Sequence, residues 1–146
     1  MEHIDVETFL VQTAPFRFVD DVIFYPLEGV IRSTARYVGD EVFFAGHFPG
    51  NPIVPGVILV ESMAQSCRAW FNQRLGRKSE GFIVSIDRAS FSAPVKPDAT
   101  VEMEARPLNP VSDQHTASSR FCRFACIARC DGKTVAKLDV TLYQKV

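Results

Sequence analysis

The polar and apolar positions of this chain change period once, and that change outlines the fold. Residues 21–25 and 30–38 read as two strands, separated by a turn at Pro26 to Gly29. Residues 42–55 are irregular and carry Pro49, Pro52 and Pro55. From Gly56 to Leu75 the pattern is helical, with Gly76 as its C-terminal stop. Val57, Ile58, Leu59, Val60, Met63, Ala64, Cys67, Trp70 and Phe71 cover most of that helix's circumference, so it is expected to be buried on nearly all sides.

After the helix the period becomes two. Residues 81–92, 100–106, 119–130 and 133–144 read as strands. Val101, Met103 and Ala105 alternate with Glu102, Glu104 and Arg106, giving one dry face and one wet. In the last strand Thr134, Ala136, Leu138, Val140 and Leu142 share a side. Asp131-Gly132 is a strong two-residue hairpin signal between the final two strands. The expectation is a single α+β domain over residues 1–146, with six mostly antiparallel strands curled around one long helix.

Composition narrows the function. The chain has 146 residues, 47% of them hydrophobic and twelve of them Phe, which suits one well-filled core. A formal net charge of −1 gives no reason to expect a nucleic-acid partner. The N-terminal residues Met1 to Asp5 lack the apolar run of a signal peptide, and the charge-free stretch Val42 to Val60 is broken by prolines and glycines. A soluble, cytoplasmic protein without membrane insertion is expected.

Four cysteines raise the question of metal. Cys122, Cys126 and Cys130 recur every fourth residue, but the segment alternates as a strand does. Four strand residues span about 13 Å, too far for one metal or for a disulfide within the strand. They are expected, with Cys67, to be reduced thiols facing a core.

The chemistry concentrates between Gly46 and Gln65. His47 sits in a loop that prolines hold rigid. Pro55-Gly56 opens the helix, where backbone N–H groups have no partner and the helix dipole is positive. Glu61 stands about one and a half turns inside an apolar helix, and Gln65 follows four residues on, on the same face. Each feature alone has an ordinary structural explanation. Together a base, an acid and an oxyanion-binding helix start compose a proton-abstraction site.

The strings His47-Phe48-Pro49-Gly50, Pro52-Ile53-Val54-Pro55-Gly56 and Glu61-Ser62-Met63-Ala64-Gln65 resemble the signature of the hot-dog-fold 3-hydroxyacyl-acyl-carrier-protein dehydratases. Pro15-Phe16, Phe18-Val19-Asp20, Ile86 to Ala89, Phe91 and Pro94-Val95 extend the resemblance over most of the chain. It implies that His47 removes the C2 proton of a 3-hydroxyacyl thioester, that Glu61 protonates the departing hydroxyl, that the Gly56 N–H binds the thioester oxygen, and that Gln65 orients Glu61. It also implies no metal and no cofactor, an acyl carrier protein as partner, a homodimer with sites shared between subunits, and in many members trimers of dimers. An acidic carrier needs local cations, and Arg68, Arg74, Arg77 and Lys78 are the candidates, with Arg88 and Lys96 behind them. Two positions depart from the pattern: Gln12-Thr13 replaces a usual His-Arg pair, and Asn51 stands where histidine or lysine is common. They leave substrate and pathway open. Two other activities fit the same segment, a hot-dog thioesterase and a non-catalytic acyl-binding or scaffold subunit.

Overall fold

A computed structural model describes residues 1–108 and 121–145. In chain order its elements are β1 (Glu2–Ile4), α1 (Val6–Phe9), β2 (Asp21–Tyr25), β3 (Val30–Arg36), a 3₁₀ turn (Val42–Ala45), α2 (Gly56–Leu75), β4 (Gly81–Phe91), β5 (Thr100–Pro107), β6 (Phe121–Cys130) and β7 (Lys133–Gln144). All pairings are antiparallel, and the seven strands form one sheet in the order β1-β2-β3-β5-β6-β7-β4. The α+β expectation of a curled sheet around one helix holds, with one strand more than the six read from the pattern. The extra strand, β1, is three residues long and precedes a single helical turn capped by the Asp5 carboxylate, too short for either period to register. The first two residues expected for the third strand after the helix, 119 and 120, lie outside the described residues.

Helix α2 is the axis of the core. Every residue from Leu59 to Asn72 is buried except Glu61, which is partly exposed. Ser62, Gln65, Ser66, Arg68 and Asn72 are buried there, and each makes at least one side-chain hydrogen bond. Ser62 and Tyr37 share a hydrogen bond of 2.7 Å, as do Ser66 and Ser33. Trp70 packs edge-on against Phe124 of β6 and tilted against Phe24 of β2. Gly76 ends the helix in the left-handed region, at φ 75°.

Two local findings revise the strand reading. In β7 a bulge places both Val135 and Ala136 in the core, and Thr134 falls opposite Arg129, outside the inward row. Of the cysteines, Cys67, Cys122 and Cys126 are buried and Cys130 only partly so; all are free. The Cys67 and Cys126 sulfurs meet at 3.9 Å between α2 and β6, and burial raises the Cys67 thiol well above its ordinary range. The same cause pushes Cys122 up to about 12.

The two sheet edges differ in kind. Edge strand β1 has three residues, whereas β4 has eleven and, among the described residues, pairs with β7 alone. Phe82, Val84, Ile86 and Phe91 of β4 are all exposed. A long, apolar, unpaired edge is what natural sheets avoid unless another strand covers it.

Candidate active site

The loop from Gly46 to Pro55 holds His47 by backbone hydrogen bonds. The His47 N–H donates to the Phe43 carbonyl at 3.1 Å, and the Ile53 N–H donates to the His47 carbonyl at 2.8 Å. Phe48 and Asn51 close a tight turn between them, each N–H donating to the other's carbonyl. The Val54 N–H then donates to Val95, which ties the loop to the segment after β4. The imidazole stacks on Phe48, with ring centroids 4.2 Å apart.

The ring's second contact fixes its chemistry. His47 Nδ1 lies 3.1 Å from the Ile53 carbonyl oxygen. A carbonyl can only accept, so Nδ1 carries the hydrogen and the neutral ring keeps its free lone pair on Nε2. That is the tautomer a general base requires.

His47 and Gly56 line one cavity of about 310 Å³, with Ile53, Leu59, Phe91 and Pro94 among its other walls. Gly56 is the first residue of α2, and no carbonyl within the helix can serve its N–H. A 20-residue helix is about 30 Å long, so this end carries the full dipole. The Phe91 ring lies against Gly56: a Cβ there would come within 3.2 Å of two ring carbons. Phe91 was not among the residues picked out for the site, although it falls in a resembling string. Only its register opposite Ala136, on the sheet's inward face, brings it into the cavity.

Glu61 does not line that cavity. Its Oε2 is buried and has no hydrogen-bond partner among the described residues. Burial raises its carboxyl pKa, opposed first by Arg68 and then by Gln65. Gln65 itself is fully buried, with Oε1 accepting from the Phe18 N–H at 2.8 Å and Nε2 donating to the Phe16 carbonyl at 2.9 Å. Its amide therefore anchors the segment before β2, out of reach of a substrate, and touches Glu61 only through its remaining N–H capacity.

The expected basic patch divides. Arg68 is 3% exposed, so it is removed from any docking surface. Its Nη1 donates to Gln144 Oε1 at the end of β7, a partner 76 residues away that helical spacing could not reveal. Arg74, Arg77 and Lys78 are exposed, and Arg74 lies 5.2 Å over the Trp70 ring. They stand at the far end of α2, about 30 Å along the helix from Gly56. Lys96 is nearer the site: it is exposed and follows Val95 of the cavity wall.

A curled antiparallel sheet around one buried helix, with a histidine loop leading into the helix N-terminus, places the chain among the hot-dog proteins. The ApeI-like family model, described as ApeI dehydratase, matches residues 28–137, and the chain belongs to that family. It is 30% identical over 145 residues to the 3-hydroxyacyl-[acyl-carrier-protein] dehydratase FabZ of Bartonella quintana, covering 96% of this chain and 89% of that protein. It is 33% identical over 144 residues to the bifunctional enzyme LpxC/FabZ of Chlorobaculum tepidum, covering 96% of this chain but only 29% of that longer enzyme. Among solved structures, the dehydratase heterocomplex ApeI:P from Xenorhabdus doucetiae superposes with a TM-score of 0.76 at 16% identity, covering 97% of this chain and 91% of that one. That likeness is one of fold.

Proposed function

We propose that the protein dehydrates a 3-hydroxyacyl thioester to the trans-2-enoyl thioester and water. The observation that carries this reading is the His47 Nδ1 contact with the Ile53 carbonyl, which leaves Nε2 free as a base in the cavity that Gly56 lines. In this mechanism His47 Nε2 takes the C2 proton. The negative charge that builds on the thioester oxygen is met by the Gly56 N–H and the positive end of α2. As the C2=C3 double bond forms, the C3–O bond breaks, and the hydroxyl leaves as water with the proton from Glu61. His47 then holds a proton and Glu61 lacks one, and exchange through solvent resets the pair. Elimination moves protons only, so these groups suffice for the chemistry.

The acyl group is carried on an acyl carrier protein, as the FabZ relatives' names describe for those enzymes. Lys96, exposed and next to Val95 of the cavity wall, suits an acidic carrier better than the cations at the far helix end, with exposed Arg88 of β4 behind it.

Glu61 reaches the reaction from a second subunit. The unpaired apolar edge of β4 supports this: two copies joined edge to edge continue the sheet, cover Phe82, Val84 and Ile86, and give two equivalent sites about a two-fold axis. Trimers of such dimers fit the same symmetry. The site then takes His47 and Gly56 from one subunit and Glu61 from its partner.

Incubation with 3-hydroxyacyl thioesters of graded length tests the activity. Conjugated enoyl thioester is expected to form while free thiol stays constant. Thiol release without enoyl product would assign the protein to the thioesterases instead. Neither product would leave acyl binding or scaffolding.

A further inference from the structure

Arg68 stands out among the charged residues of α2. It is an always-charged side chain in the core, 3% exposed, and it makes no ion pair among the described residues. Burying such a group without a counter-charge is costly, so its retention calls for a reason.

The surroundings are built to hold it. Nη1 donates to Gln144 Oε1, and Gln144 Nε2 in turn donates to Asn72 Oδ1 at 3.0 Å and to the Ser79 carbonyl at 3.1 Å. Asn72 Nδ2 also donates to the carbonyls of Phe9 and Ser79, so the chain of contacts is anchored to backbone in α1 and in the loop before β4. Gly81, the first residue of β4, leaves the space: a Cβ there would meet Gln144 Oε1 at 2.4 Å and Arg68 Nη1 at 2.8 Å. One side of the guanidinium is thus fixed by a neutral acceptor, Gln144 Oε1. The other is not: Nε is buried and has no hydrogen-bond partner among the described residues.

Glu61 lies seven residues earlier, two turns along α2 on the same face. Its Oε2 is also buried and unpartnered. Arg68 is the charged group that acts on this carboxyl, and Glu61 is the acid that acts on Arg68. Cys67 beside Arg68 is a buried thiol held neutral, and Gln144 opposite it on β7 carries no charge. The two charged groups are too far apart to form an ion pair, yet both sit where solvent screening is weak.

On the dehydratase reading above, we propose that Arg68 is a positioning residue that acts through Glu61, as the fixed counter-charge for the carboxylate left after Glu61 gives up its proton. In an apolar helix that carboxylate is otherwise disfavoured, and an acid whose conjugate base is disfavoured parts with its proton reluctantly. A guanidinium locked in place by Gln144 offsets that without moving during turnover, and because it makes no ion pair with Glu61 among the described residues it leaves the carboxyl free to face substrate.

The test uses full-length protein and three variants: Arg68→Gln, Arg68→Lys and Gln144→Glu. Activity falls at high pH as Glu61 loses its proton, so the alkaline limb of kcat reports this group. Arg68→Gln is expected to move that limb to higher pH and to lower the plateau kcat by roughly tenfold to a hundredfold, no more than the low end of what a general acid supplies, with KM little changed. Arg68→Lys keeps the charge and is expected to restore most of the wild-type limb. Gln144→Glu places a rival carboxylate against the guanidinium, so it moves the limb in the same direction as Arg68→Gln; it gives up the two hydrogen bonds that Gln144 Nε2 donates but keeps the guanidinium paired, and it serves if Arg68→Gln does not fold. Variants that lose thermal stability but keep the wild-type limb would reduce Arg68 to a structural residue and overturn the proposal. If the wild type forms no enoyl product, the dehydratase reading fails separately. The electrostatic link is then read by NMR titration of the ¹³C-labelled Glu61 carboxyl, and an unchanged titration in Gln144→Glu protein overturns it.

Discussion

The ring of Phe91 and the backbone of Gly56 are in contact across the mouth of α2, so close that a single added methyl at residue 56 would press within 3.2 Å of two ring carbons. The ring is half exposed, lines the same cavity as His47, and shields one side of the helix N-terminus from water. Gly56→Ala is therefore expected to displace either the ring or the N–H, lowering kcat roughly 10- to 100-fold, less than the 10²–10³-fold for deleting an oxyanion donor. Adding Phe91→Ala should recover much of that loss by opening the space. Steady-state kinetics of the two single variants and the double variant check this; additive losses would mean that the contact does not govern the N–H.

His47→Asn separates placement from base strength. An asparagine amide can still donate to the Ile53 carbonyl, as Nδ1 does, but it offers no Nε2 lone pair. The loop should stay in place and Tm stay close to wild type, while kcat falls by about 10²–10⁴-fold. Turnover near the wild-type rate would exclude His47 as the base.

Glu61→Gln should abolish enoyl formation and yet stabilise the protein at neutral pH. Burial raises the Glu61 carboxyl pKa in the folded state, so its neutral form is the one the fold favours. Its contribution to stability is fully present below the ordinary carboxylate range and is lost as pH rises through the raised folded value. Glutamine mimics the neutral form at every pH. The Tm of Glu61→Gln should then exceed that of wild type at pH 8, and the gap should close as pH falls below the ordinary carboxylate range. A gap independent of pH would show that the carboxyl is not disfavoured where it sits.

Carrier recognition distinguishes Lys96 from the helix-end cations. Lys96 follows the cavity wall, whereas Arg77 and Lys78 lie about 30 Å away along α2. Lys96→Glu should weaken turnover of a carrier-bound substrate more than turnover of a small thioester mimic, and the difference should shrink at high salt. A larger effect from Arg77→Glu would move the docking face to the other end of the helix.

Much of this was legible in the sequence where periodicity is long or turn chemistry strict. The all-round apolar pattern marked α2 to the residue at both ends, and Asp131-Gly132 marked its hairpin, where both residues adopt positive φ. The N-terminal β1 was not legible, because three residues carry no period. The inward row of β7 was misread at Thr134, because a bulge changes which residues share a face without altering the pattern. In the site, the loop and helix start could be read from Gly46 to Gly56, since rigid prolines and a helix terminus declare themselves locally. Arg68 could not. Its burial depends on Gln144 and on the missing side chain of Gly81, and neither is near it in sequence. Gln65 shows the same limit in part: spacing puts it beside Glu61, on which it acts, but does not reveal that its amide also bonds the backbone of Phe16 and Phe18.

The shared site is the central claim, and mixing two inactive variants tests it most directly. His47→Ala and Glu61→Ala each remove one half of every site. In a mixed dimer with closed two-fold symmetry, one site inherits both lesions and the other receives an intact His47 and an intact Glu61. Random reassortment makes about half the dimers mixed, so co-refolded protein should regain roughly a quarter of wild-type dehydration. Mixed dimers confirmed by mass that remain inactive would show that His47 and Glu61 do not meet across the subunit boundary, and would contradict the account.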